Sequence, residues 1–257
     1  MYKGLRVAVV MPVYNERGHV RAAILAVPSF VDTIVVVDDA STDGTELAIS
    51  PANDPRLVKL RHQTNRGVGA ATKTGYRYCL RACPDVVAVM DGDGQMDGGD
   101  LSELLDRIIA GADYVRGCRF LHKRTISCMP RMRYIGNRVF SLLTRWAGRF
   151  GETLDAQCGY SAIRLDALER LDLSRLYDRY GFPNEMFFAA RLTGLAIENV
   201  PVTVIYGNEV SHINPLVVVP TILYLIARGY LRSRLAASTT RQIGDAEIQQ
   251  ALSRALN

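Results

Sequence analysis

The sequence predicts an α/β protein: a mostly parallel sheet with helices on both faces and a helical extension at the C-terminal end. Three observations carry this expectation. Short β-branched apolar runs alternate with helical segments over residues 5–120, the rhythm of parallel strands joined by crossover helices. The runs are apolar at successive positions, as strands buried between two helix layers must be. Of the 257 residues, 48% are hydrophobic, enough for one large core.

Leu5–Met11 reads as a central first strand, broken by Pro12-Val13-Tyr14-Asn15-Glu16. Val20–Val27 reads as a helix. Thr33–Val37 is the second strand and runs into Asp38-Asp39-Ala40-Ser41-Thr42-Asp43-Gly44-Thr45. After a third strand at Leu57–Leu60, Asn65-Arg66-Gly67-Val68-Gly69-Ala70 opens a helix that runs to about Cys83. Val86–Met90 is the fourth strand, Asp100–Ala110 a helix and Tyr114–Gly117 the fifth strand. Strands one, two and four all end in polar residues at one sheet edge, which is where open α/β sheets bind ligands.

The fourth strand ends in Met90-Asp91-Gly92-Asp93-Gly94-Gln95-Met96-Asp97. Asp91, Asp93 and the Gln95 amide are hard oxygen donors two residues apart, suited to Mg²⁺ or Mn²⁺ with positions left for phosphate oxygens. Gly92 and Gly94 allow a tight turn close to a ligand. A calcium hand would need Gly and Glu where Met96 and Ser102 stand. A solvated acidic turn is the plain alternative, and three ligand-suited strand ends at one edge argue against it. The first strand is followed by no glycine-rich turn and the chain has no Walker lysine motif, so phosphates fall to metal and side chains.

The net charge is +5. Between Tyr114 and Gly151 there are nine Lys or Arg and no Asp or Glu. Such a span suits phosphate, a membrane surface or nucleic acid; no aromatic interleaving or known module supports nucleic acid. Five cysteines without a CxxC motif point to reduced thiols and a cytoplasmic protein, and the N-terminus shows no signal-peptide pattern. Near the C-terminus, Leu216–Ala227 is an apolar run of 12 residues, too few to cross a bilayer. Pro215–Leu235, with Arg228, Arg232 and Arg234, reads as a basic amphipathic helix on a membrane surface, or as a core helix or an interface between copies. Gly244–Leu256 reads as a short polar helix. The expected division is a main domain at 1–212 and an extension at 213–257.

Taken in order, the segments Pro12–Glu16, Val37–Thr45, Asn65–Ala70 and Asp91–Gln95 resemble the motifs of glycosyltransferase family 2. Asp155-Ala156-Gln157-Cys158-Gly159-Tyr160-Ser161-Ala162 and Tyr180-Gly181-Phe182-Pro183-Asn184-Glu185-Met186 are similar to its polyprenyl-phosphate branch, the dolichyl-phosphate mannose synthase group. The resemblance implies the GT-A fold, with its Rossmann-like sheet. It implies inverting transfer of a hexose from a nucleoside diphosphate, GDP or UDP, to a polyprenyl phosphate such as dolichyl or undecaprenyl phosphate. Pro12, Tyr14, Glu16, Val37 and Asp39 would line the nucleoside pocket, with Asn65, Gly67, Gly92 and Gln157 also on the donor. Asp91, Asp93 and Gln95 would hold Mn²⁺ or Mg²⁺ against the diphosphate and ease its departure.

A phosphate acceptor arrives largely ionised, so it needs positive charge rather than a base. Arg119, with Arg131 or Arg133 and Arg138 behind, would supply that charge. A soluble hydroxyl acceptor would instead need a base, for which Asp155 is the candidate. Glu185 reads as a helix N-terminal carboxylate, and His212 stands where relatives often carry lysine. A non-enzymatic nucleotide-binding protein is the remote alternative. A lipid acceptor would require a bilayer surface or a membrane-anchored partner subunit.

Overall fold

The computed structural model describes residues 1–49, 54–148, 155–205 and 216–235. All seven residues of β1 (Val7–Val13) are buried. Their alternation explains the layering: Val7, Val9 and Met11 face one apolar cluster, while Ala8 and Val10 face another. β2 (Thr33–Asp38), β3 (Leu57–Arg61), β4 (Val86–Val89), β5 (Tyr114–Cys118), β6 (Ser161–Arg164) and β7 (Ile197–Pro201) complete the sheet. The strand order is β3-β2-β1-β4-β6-β5-β7.

Helices cover both faces. α1 (Val20–Leu25) and α4 (Leu101–Ile109) lie over the Val7 side. α3 (Val68–Ala82), α7 (Leu165–Glu169) and α8 (Phe182–Leu192) lie over the Ala8 side. α2 (Thr45–Ile49), α5 (Lys123–Cys128), α6 (Arg131–Gly148) and α9 (Leu216–Leu235) complete the described helices. The five strands read from the sequence are present, with ends displaced by at most two residues.

β6 runs antiparallel to both β4 and β5 while the other pairings are parallel, so the sheet is mostly parallel, as expected, with one reversed strand. Two reversals leave β5 parallel to β4, so Arg119 emerges from β5 at the same edge as Asp91 from β4. The stretch 155–160 enters β6 from that edge too. The sheet therefore gathers at one rim segments from five places in the chain.

α6 was read only as a basic span, yet it is an 18-residue helix. The Ser141 Oγ on its inner face accepts a hydrogen bond from Ala156 N–H at 3.0 Å. α9 is longer than the apolar run that announced it: 20 residues with mean hydropathy 1.3, sufficient in length and composition to cross a bilayer. Its contacts favour a docked helix. Ile222, Leu225 and Ile226 are buried against the body, and Trp146 of α6 stacks on Tyr230 with ring centroids 5.6 Å apart. Arg228 and Arg232 both reach the buried Glu185 on α8. The expected boundary near 212, His212 itself and the expected helix Gly244–Leu256 lie outside the described residues. The five cysteines are free thiols, as expected from their spacing.

Candidate active site

The loop after β4 is shaped by glycine and by an Asx turn. Gly92 N–H donates to the Pro12 carbonyl at 3.2 Å, drawing the loop against β1. A Cβ at Gly92 would lie 2.2 Å from Val13 Cγ1, so no side chain fits there. Asp93 Oδ1 accepts from Gln95 N–H at 2.9 Å, which folds Asp91, Asp93 and Gln95 into one turn. Ile205 N–H, from the far side of the chain, donates to the Gln95 carbonyl at 2.9 Å. Gly92→Ala is expected to displace this turn. Overpacking costs about 1–3 kcal/mol, a fall in melting temperature of roughly 3–10 °C. Calorimetry would read that fall, together with weaker Mn²⁺-dependent nucleotide binding.

Asp91 is the electrostatic centre of the rim. Burial, then repulsion from Asp93 and Glu16, pushes its carboxyl up to about 7, against the pull of Arg119. The loop thus concentrates more negative charge than its surroundings neutralise, which a bound cation would relieve. Among the described residues, no three His, Cys, Asp or Glu side chains form a self-sufficient metal cluster. Two carboxylates and an amide oxygen fit a hard divalent ion that completes its shell from a phosphate ligand. Gly159 approaches from the other side: a Cβ there would sit 3.2 Å from Asp91 Oδ2.

The candidate nucleoside residues lie on β1, on β2 and in the loops that follow them. Pro12 and Val37 are register partners. Tyr14 is exposed at the rim. Asp39 is buried and already engaged: Arg66 N–H and Gly67 N–H donate to it at 2.9 and 2.7 Å, and His62 Nδ1 lies 2.6 Å from its Oδ1. Asp39 thereby ties the 65–67 loop to β2, alongside any contact it makes to a nucleobase. Gly67 has φ +99°, and a Cβ there would meet the Asp178 carbonyl at 2.7 Å, so glycine is required. Asn65 Oδ1 accepts weakly from Arg179 at 3.4 Å.

Arg116, Asp155 and Arg119 form a buried ionic cluster. Arg119 Nε and Nη2 donate to the two Asp155 oxygens at 2.7 and 2.8 Å, a fork-on-carboxylate geometry. Arg116, fully buried on β5, donates to the Asp155 carbonyl at 2.9 Å and lies 4.8 Å from the Phe187 ring centre. Burial alone would raise the Asp155 pKa; the Arg119 guanidinium outweighs it and holds the carboxyl below its ordinary value. A carboxylate so engaged is a poor proton acceptor. Asp155 is therefore seated as the counter-ion of Arg119, and the candidate base for a hydroxyl acceptor is already committed.

A cleft opens beside Asp91, with Asp91, Gln157, Gly159, Thr72, Ser161 and Phe182 in its walls. Gln157, in the cleft wall, is buried, and its Nε2 donor has no hydrogen-bond partner. The start of α8 forms the rim opposite Asp91, and α9 grips it: a Cβ at Gly181 would be 2.5 Å from Leu225 Cδ1.

Arg131 and Arg138 stand on the exposed side of α6, with Arg138 5.3 Å from the ring centre of Phe120, the residue after Arg119. The Arg133 side chain lies outside the described residues. Sequence reasoning missed the roles of Arg116, His62 and Gly159. For Arg116 a signal existed, since it is a cation inside an otherwise apolar strand.

The family model "Glycosyl transferase family 2" matches residues 8–172. A polyprenol monophosphomannose synthase of Mycolicibacterium smegmatis is 34% identical over 207 residues, covering 77% of each chain. An undecaprenyl-phosphate mannosyltransferase of Micrococcus luteus is 33% identical over 77% of this chain and 83% of its own. Among solved structures, glucosyl-3-phosphoglycerate synthase of Mycobacterium tuberculosis, crystallised with Mn²⁺, UDP and phosphoglyceric acid, superposes with a TM-score of 0.66. At 19% identity over 88% of this chain and 79% of that one, it bears on the fold.

Proposed function

The chain belongs to glycosyltransferase family 2 and has its GT-A fold, and from that premise we propose that it transfers a hexose, with inversion, from a nucleoside-diphosphate sugar to a polyprenyl phosphate. The observation that carries the acceptor half of this reading is the bidentate Arg119–Asp155 pair beside Asp91. A hydroxyl acceptor must lose a proton, and Asp155, the carboxylate best placed by sequence to take it, is locked onto Arg119. A phosphomonoester is ionised at neutral pH and needs only to be drawn up to the sugar against its own charge. Buried arginine at the rim supplies that attraction. Two relatives whose names specify polyprenol or undecaprenyl-phosphate chemistry, each at least 33% identical, support the same class.

Asp91, Asp93 and Gln95 would hold Mn²⁺ or Mg²⁺, and the bound ion would neutralise charge on the departing nucleoside diphosphate. This chain's own residues do the rest. Pro12, Val37 and Asp39 place the nucleoside, the 65–67 loop being fixed by Asp39. Gln157, in the cleft wall with an unpartnered Nε2, would contribute its amide to the donor site. Arg119, oriented by Asp155, would face the acceptor phosphate, and α9 packs against the start of α8 at Gly181. The chain would work peripherally at a cytoplasmic membrane face, alone or beside an anchored subunit.

Calorimetric melting against a panel of GDP- and UDP-sugars with Mn²⁺ tests the donor. At a hundredfold excess over Kd the cognate sugar nucleotide adds about 2.7 kcal/mol, a rise of roughly 5–10 °C. Transfer to a short-chain, water-soluble polyprenyl phosphate tests the acceptor. Transfer to a hydroxyl compound but never to the phosphate would reject this reading.

A further inference from the structure

The Asp39 carboxylate is met by three donors of its own chain, and one of them is a side chain that no step above uses. His62, the residue after β3, is buried. Its Nδ1 lies 2.6 Å from Asp39 Oδ1, and its Nε2 lies 2.9 Å from Thr74 Oγ1 on α3. Against a carboxylate Nδ1 carries its proton and donates, and the Thr74 hydroxyl serves Nε2 in either role. The ring thus ties the ends of β2 and β3 to the helix that covers them. Arg66 N–H donates to the same Asp39 Oδ1 at 2.9 Å, and Gly67 N–H donates to Oδ2 at 2.7 Å. A carboxylate offers about four lone-pair positions, two on each oxygen. Oδ1 is therefore filled from within the protein and Oδ2 is half filled. Among the described residues no further donor reaches the group, so one acceptor position is left, on Oδ2.

We propose that His62 is a positioning residue which, by occupying Asp39 Oδ1, leaves the nucleobase a single acceptor position and so selects a donor whose base carries one N–H on that edge, uracil or thymine, over guanine. The inference rests on Asp39 as a nucleoside contact and adds to that reading the class of base. Guanine presents N1–H and N2–H side by side, and a carboxylate takes both only with an open position on each oxygen. Here the second guanine donor would meet a filled oxygen and stay unpaired, the loss by which a polar site rejects a near analogue. Uracil and thymine carry one N–H, at N3, and the position left on Oδ2 satisfies it. The arrangement is also held in place. Turning the carboxylate to offer Oδ1 would break the bonds to His62 and Arg66 together, and the His62 ring is itself fixed by Thr74. The Asp39 main chain is fixed as well, its N–H donating to the Val13 carbonyl at 2.9 Å.

Calorimetric titration of the wild-type protein with UDP, dTDP and GDP in the presence of Mn²⁺ tests the selection. UDP or dTDP should bind more tightly than GDP by about tenfold or more, the cost of one unpaired donor, and the tighter of the two names the pyrimidine. His62→Leu removes the Nδ1 donor and frees Asp39 to turn. It should weaken the preferred nucleotide by about tenfold and narrow its margin over GDP. Inorganic pyrophosphate with Mn²⁺ has no base to be read, and its binding should match the wild type. His62→Asn returns an amide N–H to the place of Nδ1 and should restore most of the margin. Thr74→Val releases the far edge of the ring and should shift the margin in the same direction as His62→Leu, which keeps the test open if His62→Leu fails to fold.

GDP bound as tightly as either pyrimidine nucleotide would overturn the inference, and with transfer from a GDP-sugar to a polyprenyl phosphate observed, the proposed function would stand. A pyrimidine preference that His62→Leu narrows, with no transfer to any polyprenyl phosphate, would sink the function and keep the inference. Equal losses of nucleotide and pyrophosphate binding in His62→Leu, not recovered in His62→Asn, would make His62 a structural residue only and overturn its role. Binding of no nucleotide by the folded protein with Mn²⁺ would overturn the inference and the proposed donor together.

Discussion

Asp91→Ala is expected to abolish hexosyl transfer, by about a thousandfold or more, while the protein stays folded. Loss of one oriented electrostatic group in a closed site costs about 10²–10³ in rate, and Asp91 would also be a ligand of the proposed cation. Asp93→Ala should follow it, and removing the metal from the wild type with a chelator should mimic both. A second signature separates a metal ligand from a structural carboxylate. The Asp91 carboxyl is raised to about 7 in the folded chain, so between about pH 4 and pH 7 the metal-free native state holds a proton that the unfolded chain has lost. Stability of the metal-free wild type therefore declines as pH climbs through that window. Asp91→Asn should remove the decline, and saturating Mn²⁺ should reverse it in the wild type alone. Melting curves across pH, with and without the ion, would show this; an unchanged transfer rate in Asp91→Ala would refute the assignment.

Asp155→Ala should be the most damaging change to the fold. It leaves Arg119 with no counter-ion and Arg116 close by in the same buried cluster. Removing one partner of a buried pair typically costs about 3–5 kcal/mol, so a fall in melting temperature of roughly 10 °C or more is expected. The wild-type pair should itself weaken in acid. Because Arg119 holds the Asp155 carboxyl below the ordinary range against the effect of burial, its contribution is complete above about pH 4. It is lost as pH falls through the depressed value. Asp155→Asn decides between roles. A counter-ion leaves a destabilised protein with a weakened acceptor KM. A general base would leave a stable protein with kcat collapsed and its pH profile flattened, an outcome that would restore the hydroxyl-acceptor reading.

The parts of this molecule written locally were readable in advance. β1 to β5 announce themselves because a β-branched run between polar breaks has few other places to go. The Asp91–Gln95 loop is legible because glycines and carboxylates alternate immediately after such a run. What escaped was set at long range. Arg116 and Asp155 are 39 residues apart, and neither carries a local sign of the other. β6 is four residues long, too short for its alternation to stand out, and its reversed direction depends on both neighbours. α9 was recognised as amphipathic, but the inward turn of Arg228 and Arg232 could be known only from the position of Glu185.

The short antiparallel ladder between β4 and β6 has an evolutionary corollary. It consists of four residue pairs, from Val86–Arg164 to Val89–Ser161. Asp91 lies two residues beyond Val89 and Gly159 two before Ser161, both at the same end of the ladder, so its register keeps them abreast. Shifting β6 by a single residue would turn its side chains to the opposite face and carry Gly159 away from the carboxylate. Insertions and deletions should consequently be barred from 155–161 across relatives, even where the residue types change. The span is a ruler whose length matters more than its lettering.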